Sequence, residues 1–203
     1  MSDRTLRPVS ALAGVSVSGR YGKNQGAPGL SIAERRDLGI ATVAARKGQA
    51  GALKAAVREA YGVELPNDSR IVRGEQVSFV GYAPDQWLAV SDALAGEALA
   101  RDLGQRLKGL ASISDQHGGR TVLRLSGPRA REVLAKGLPL DLHPRAFGPG
   151  SAATSTISLM GVQLWQVDDT PSYDIALFRS VSASFWRWLT ASAAEFGYEI
   201  TTP

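Results

Sequence analysis

The residues best suited to chemistry lie together in the segment 114–120, where Asp115, His117 and Arg120 fall within a stretch containing two glycines. An aspartate that orients a neighbouring histidine is an arrangement used for general-base catalysis. A guanidinium such as that of Arg120 binds anions. No nucleophile stands at a fixed spacing from the three, so the segment predicts a site without specifying a reaction. The alternative is a polar turn between two strands, in which Arg120 pairs with Asp115.

Several kinds of active site are excluded by residue type. The 203 residues include no cysteine and two histidines, which rules out thiol nucleophiles, zinc–thiolate and iron–sulfur sites and cysteinyl flavin attachment. The sequence has neither a Walker loop nor a dinucleotide fingerprint. Asp168 and Asp169 are neighbours, and neighbouring strand residues point to opposite faces, so a turn is preferred there over a metal site. We predict no catalytic, cofactor-binding or metal-binding residue in this chain.

Charge and hydropathy limit the partners. Twenty-three Lys and Arg against 19 Asp and Glu leave a net charge of +4, a mild excess that supports an RNA-contacting module only weakly. The apolar runs are much shorter than the ~20 residues of a membrane helix, and the first residues lack the pattern of a signal peptide. We expect a cytoplasmic protein with no nucleic-acid or membrane partner.

Residues 1–37 are predicted to form an extended N-terminal arm. They are rich in glycine and show no clear periodicity, which argues against regular secondary structure. Val9, Leu12 and Tyr21 nevertheless make this segment too apolar to prefer water. We therefore expect the arm to lie on the surface of a partner.

Residues 38–203 are predicted to form a body of two repeats, at about 38–117 and 118–203. Each repeat shows the same order of patterns: a strand, a helix, several strands, a second helix and a last strand. The helices are expected at 49–61, 92–107, 128–136 and 182–196. This order predicts an α+β fold of two ferredoxin-like, split β-α-β repeats with antiparallel sheets.

Trp186 and Trp188 are the second candidate for a contact with a partner. Two positions apart on a helix, they diverge by about 200° and cannot both face one core. Because tryptophan is enriched at the centres of protein interfaces, both join Val9, Leu12 and Tyr21 as candidate interface residues. The alternative is that Trp188 lies flat over its own helix.

A set of short segments occurs in a characteristic order and spacing along the chain: Pro8-Val9-Ser10-Ala11-Leu12, Gly26-Ala27-Pro28-Gly29, Glu34-Arg35-Arg36, Gln86-Trp87-Leu88-Ala89-Val90, Ser114-Asp115-Gln116 with Arg120, Leu125-Ser126-Gly127-Pro128-Arg129-Ala130, Asp141-Leu142-His143-Pro144-Arg145-Ala146-Phe147, and Arg179-Ser180 before Ser184-Phe185-Trp186. Together they resemble the gamma subunit family of heterotetrameric sarcosine oxidase, which is itself similar to the folate-binding aminomethyltransferase fold. The resemblance covers nearly the whole chain.

The resemblance implies a non-catalytic assembly subunit of an enzyme that oxidatively demethylates sarcosine. The products are glycine, hydrogen peroxide and formaldehyde, or 5,10-methylenetetrahydrofolate when tetrahydrofolate is present. It also implies alpha, beta and delta subunits as partners, with FAD, FMN, NAD, zinc and tetrahydrofolate held in those subunits. Asp115, His117 and Arg120 would then be a vestigial site. The alternative is an independent tetrahydrofolate-binding protein of one-carbon transfer that uses these three residues.

Overall fold

A computed structural model of the chain describes residues 9–201. Its strands are β1 (Gly19–Tyr21), β2 (Leu30–Glu34), β3 (Gly39–Ala45), β4 (Ile71–Val72), β5 (Ser78–Ala83), β6 (Gln86–Ser91), β7 (Ala111–Asp115), β8 (Arg120–Ser126), β9 (Ala152–Ile157), β10 (Met160–Asp168), β11 (Ser172–Phe178) and β12 (Tyr198–Thr201). The α-helices are α1 (Ala50–Tyr61), α2 (Glu97–Arg106), α3 (Ala130–Ala135) and α4 (Ser182–Ala193). Within the described residues, no helix is both long and apolar enough to cross a membrane.

The first repeat forms a five-stranded antiparallel sheet with the strand order β4-β5-β6-β3-β7. Apart from the short edge strand β4, this is the order of a split β-α-β unit, as predicted. Helices α1 and α2 bury Leu53, Val57, Leu99 and Leu103 against one face of the sheet. The apolar spacing of the two helices thus accounts for one core of the protein.

The second repeat lies in a seven-stranded sheet with the order β1-β12-β2-β8-β11-β10-β9. Strands β8, β10, β11 and β12 make the expected split β-α-β unit, and β9 extends one edge. Helices α3 and α4 cover its outer face with Val133, Leu134, Phe185 and Leu189. The predicted α+β fold is confirmed, with one difference: β12 and β2 run parallel.

That difference comes from the predicted arm, because β2 inserts between the last and first strands of the second repeat. It pairs with β12 on one side and with β8 on the other. Its buried Leu30 and Ile32 belong to the core beneath α3 and α4. Part of residues 1–37 is therefore a structural component of the body, and the expectation of an arm without strands is wrong for this part.

Gly127 lets β2 approach the second repeat closely. Its φ of +126° is unfavourable for other residues, and an added Cβ would lie 2.7 Å from the carbonyl oxygen of Gly29. That same carbonyl accepts a 3.0 Å hydrogen bond from the amide of Arg129. The corner before α3 and the start of β2 are thereby joined through the backbone.

The two sheets pack face to face. Ile40 and Leu88 of the first sheet meet Val122, Trp165 and Ala176 of the second in a shared apolar cluster. Backbone hydrogen bonds cross between the sheets as well, from the Ile71 amide to the Gly150 carbonyl at 2.9 Å and from the Ala152 amide to the Ser69 carbonyl at 3.0 Å. The body consequently has four layers, with helices outside and two sheets inside.

Helix α2 begins later than its sequence predicts. The Ser91 hydroxyl accepts hydrogen bonds from the amides of Ala93 and Leu94, at 3.2 and 2.9 Å. These bonds close a local turn after β6 and do not cap a helix. The helix therefore begins at Glu97, after Gly96.

Candidate functional site

The predicted polar segment forms the turn between β7 and β8. The Gln116 carbonyl accepts hydrogen bonds from the amides of Gly119 and Arg120, both at 3.0 Å. Asp115 accepts a 3.0 Å bond from the amide of His117 through Oδ1, and its Oδ2 lies 2.5 Å from His117 Nδ1. Asp115 thus fixes the orientation of the imidazole, as an aspartate beside a general base does.

Arg120 takes no part in that pair. Its guanidinium lies over the ring of Phe178, with 4.6 Å between the guanidinium carbon and the ring centroid. Its Nε is buried and has no hydrogen-bond partner among residues 9–201. Burial lowers the pKa of Arg120 from its ordinary value. The segment is the turn that the alternative interpretation predicts, but its pairing of Arg120 with Asp115 is wrong, because the aspartate bonds to His117 instead.

His117 and Arg120 both line a cleft of about 670 Å³. We call it the arginine cleft; its further lining is partly charged and partly apolar, with Glu34, Arg35, Arg36, Asp37, Leu38, Ile40, Val122 and Arg179. Asp115 stands behind His117 and is absent from this lining. The structure therefore joins two of the three predicted residues in one cavity and places the third behind one of them.

Sequence reasoning missed Arg179 as a member of the site. The antiparallel register pairs Phe178 with Arg120, so Arg179 directly follows the position opposite Arg120. Its amide donates a 2.9 Å hydrogen bond to the Gly119 carbonyl. In the sequence, Arg179 could be recognised only as the residue that follows an alternating strand. The pairing of β8 with β11 is what brings it beside Arg120.

The arginines of the cleft differ in how they are neutralised. Arg36 Nε lies 2.9 Å from Glu34 Oε2. Arg35 forms ion pairs with Asp92 and Asp174. Arg179 donates a 2.6 Å hydrogen bond from Nη2 to the carbonyl of Val9. Among the described residues, no ion pair joins a carboxylate to Arg120 or Arg179.

Further along the β8–β11 pair, Asp174 is the centre of a buried ionic network, and its side chain is 4% exposed. It accepts a bidentate pair of hydrogen bonds from Arg124, Nε to Oδ1 and Nη2 to Oδ2, both at 2.7 Å. Arg35 Nη1 donates a third at 3.2 Å. The bond to Asp174 raises the pKa of Arg124. A carboxylate so fully bonded is suited to joining β8, β11 and the end of β2 within the seven-stranded sheet.

Two of the candidate interface residues lie in the protein core. Leu12 is completely buried and Trp186 is 6% exposed, and both belong to the cluster beneath α3 and α4. Their side chains leave no surface for a partner in this structure. The apolar character that suggested an interface instead reflects packing within the chain.

The other candidates are at least partly accessible. Tyr21 is half-buried and stacks on Tyr198, with 5.5 Å between ring centroids. Trp188 is half-buried and rests against Phe185, with ring centroids 5.5 Å apart. Its indole also lies against Gly137 after α3, where an added Cβ would be 2.8 Å from Cζ2, so Trp188 packs between α4 and the end of α3.

Val9 is the most accessible of the five predicted interface residues, with 61% of its surface exposed. Val15 and Val17 are 50% and 57% exposed. We call these three residues the N-terminal valine surface. Together they flank the buried Leu12, so the segment holds one side chain in the core and presents apolar neighbours to solvent.

Within residues 9–201, no group of three or more metal-ligating side chains is arranged to hold a metal ion. The described residues therefore present three features of functional interest. These are a charged cleft, a buried ionic network and an exposed valine surface.

A sequence profile of the sarcosine oxidase gamma subunit family matches residues 46–195. The chain belongs to this family. Curated gamma subunits are similar along most of their length: that of Corynebacterium sp. strain P-1 is 36% identical over 71% of this chain and 71% of its own. That of an Arthrobacter species is 38% identical over 68% of this chain and 69% of its own. The predicted family resemblance is confirmed.

Solved structures agree with the gamma subunit assignment. A chain of the heterotetrameric sarcosine oxidase of Corynebacterium sp. U-96, solved with pyrrole 2-carboxylate, superposes with a TM-score of 0.73 at 27% identity, covering 87% of this chain and 88% of that one. Aminomethyltransferase T of the glycine cleavage system of Bartonella henselae superposes with a TM-score of 0.63 at 16% identity, covering 86% of this chain and 48% of that one. The second match shows the fold alone, and it confirms the predicted aminomethyltransferase-like fold.

Proposed function

We propose that this gamma-family chain is the structural and assembly subunit of a heterotetrameric sarcosine oxidase. The observation that carries the proposal is the match to a chain of such an oxidase over 87% of this chain and 88% of that one. Because nearly the whole of each chain is matched, we assign to this chain the same place in the oxidase that the matched chain has. The subunit supports an oxidoreductase and carries out no chemical step itself.

In this proposal the alpha, beta and delta subunits are the partners, and they hold FAD, FMN, NAD, zinc and tetrahydrofolate. The complex demethylates sarcosine, with oxygen as the electron acceptor, to glycine and hydrogen peroxide. The methyl carbon leaves as formaldehyde or as 5,10-methylenetetrahydrofolate. A cytoplasmic location remains a prediction from the sequence.

The N-terminal valine surface is the proposed contact with a partner subunit. Val9 and Val17 are more than half exposed, while the intervening Leu12 holds the segment on the body. The side chain of Ser10 strengthens that attachment, since its hydroxyl lies 2.6 and 2.7 Å from the two carboxylate oxygens of the buried Glu34. An apolar surface held in place in this way loses little conformational entropy when a partner covers it.

Replacing two of the exposed valines by aspartate is expected to disrupt assembly. The Val15→Asp/Val17→Asp variant would have to bury two unpaired charges at the interface, which is strongly unfavourable. We expect its recovery in the purified complex to fall about tenfold or more, equivalent to about 1.4 kcal/mol. The measurement is affinity purification through a tagged alpha subunit, with the amount of gamma subunit and the flavin content determined on the same sample.

The matched control is Ala52→Asp/Ala55→Asp, which introduces the same charges at two exposed positions of α1. We expect this control to assemble normally. Circular dichroism of both isolated variants verifies the fold. Equal recovery of the valine variant and the control would reject the valine surface as an interface, whereas a complex of full activity formed without any gamma chain would reject the assembly role.

An independent tetrahydrofolate-binding one-carbon transferase is the second candidate, favoured by the Asp115–His117 pair beside the cleft. It predicts that the isolated chain turns over a one-carbon donor and that Asp115→Ala abolishes the turnover. The assembly function predicts no turnover by the isolated wild-type chain. A single assay with the isolated chain therefore distinguishes the two functions.

A further inference from the structure

We propose that the arginine cleft binds a small carboxylate with an apolar body, and that Arg120 and Arg179 hold its carboxylate group. This site goes beyond the assembly function and does not depend on it. A subunit without a chemical step can still hold a ligand, because binding requires only complementary charge and shape.

The charge of the cleft is the first argument for an anionic ligand. Arg36 is paired with Glu34, and Arg35 with Asp92 and Asp174. Arg120 and Arg179 have no carboxylate partner among residues 9–201. Guanidinium groups form their strongest hydrogen bonds with carboxylates and phosphates, so two of them on adjacent strand ends favour an oxyanion.

The burial of Arg120 is the second argument for an anionic ligand. Removing a guanidinium from water is costly unless it gains a partner, and the buried Nε of Arg120 has none within the described part of the chain. The Phe178 ring supports one face of the group without accepting a conventional hydrogen bond. A bound anion would recover part of the lost solvation energy.

The shape of the cleft selects the ligand class. Leu38, Ile40 and Val122 contribute an apolar lining beside the arginines. Its volume of about 670 Å³ lies within the range of small-molecule sites. A phosphate ion would fill only a small part of this volume. A carboxylate on a hydrocarbon body would fill more of it while reaching the guanidinium groups, which favours it over an inorganic anion.

Benzoate is the probe that tests the proposal, and benzamide is its neutral control of nearly the same shape. Isothermal titration of the full-length chain with sodium benzoate at constant ionic strength is expected to show saturable 1:1 binding. Benzamide is expected to bind at least about tenfold more weakly, because it carries no negative charge and its NH2 group cannot accept a hydrogen bond from a guanidinium. Equal affinity for the two compounds, or no saturable binding of benzoate, would overturn the proposal.

Two variants locate the site. Arg120→Gln and Arg179→Gln are each expected to weaken benzoate binding about tenfold or more. Arg187→Gln is the control, because Arg187 is exposed on α4 and does not line the cleft. Should Arg120→Gln fail to fold, Arg179→Gln alone decides, since among residues 9–201 the hydrogen bond of its side chain goes to an exposed carbonyl, that of Val9. Unchanged affinity in a folded variant would place benzoate elsewhere and overturn the proposal.

A carboxylate side chain of a partner subunit is the competing occupant, and the assembled complex distinguishes it from a free ligand. Titration of the complex with benzoate is expected to retain a binding event that Arg179→Gln weakens. Loss of this event on assembly would show that a partner fills the cleft, and would overturn assignment of the cleft to a small molecule.

Discussion

Replacing Asp174 by alanine is expected to lower the free energy of unfolding by about 3–5 kcal/mol. The variant would leave the half-buried Arg124 and the adjacent Arg35 facing each other without the carboxylate that bonds to both. Removing one partner of a buried ion pair costs more than the pair contributes, because the remaining charge stays in a poorly solvated place. Urea denaturation of the full-length chain, followed by tryptophan fluorescence, measures the loss.

Asp92→Ala is the matched control for this prediction. Asp92 also pairs with Arg35, but its side chain is 81% exposed. Water replaces an exposed partner readily, so we expect a loss below about 1 kcal/mol. Similar losses for the two variants would contradict the assignment of Asp174 as the centre of the network.

Replacing Ile32 by alanine is expected to destabilise the isolated chain by about 2–5 kcal/mol. Ile32 is completely buried in β2, between strands of the second repeat. Truncating it leaves a cavity in the core beneath α3 and α4. Leu12→Ala is expected to have an effect of the same size, since Leu12 is buried in the same cluster. Urea denaturation of the isolated chain is again the measurement.

Val17→Ala is the control from the same segment, at a position 57% exposed. Its effect on the isolated chain should stay within about 0.5 kcal/mol. An arm lying wholly on a partner would give a different result, with neither Ile32→Ala nor Leu12→Ala affecting the isolated chain. The experiment thus separates the part of residues 1–37 that builds the body from the part that is accessible to a partner.

The β8–β11 pair positions Arg120, Arg124 and Asp174. Arg120 and Arg124 stand on β8, four residues apart, and point to the same side because side chains alternate along a strand. Opposite them on β11 are Phe178 and Asp174. The same strand pair supports the arginine cleft at one end and the buried ionic network further along.

Local sequence determined the order of the elements and hence the class of the fold. Apolar spacing in the segment 182–196 predicts a helix, and the structure forms α4 at Ser182–Ala193 followed by a short 3-10 turn. Alternation at 173–178 likewise predicts β11. These signals are available because a helix or a strand repeats its environment every few residues. The family segments added the resemblance that the comparisons confirm.

Tertiary structure alone decided where β2 lies and which apolar residues are accessible. A strand of five residues is too short for its alternation to stand out in the sequence, and its partners β8 and β12 lie far along the chain. The same distance hides the Arg35–Asp174 contact, whose members are 139 residues apart. Leu12 and Val9 are both aliphatic, yet Leu12 is buried and Val9 is exposed. The position of β2 and the burial of individual apolar residues depend on which remote segments pack together. Local sequence patterns do not specify these long-range contacts.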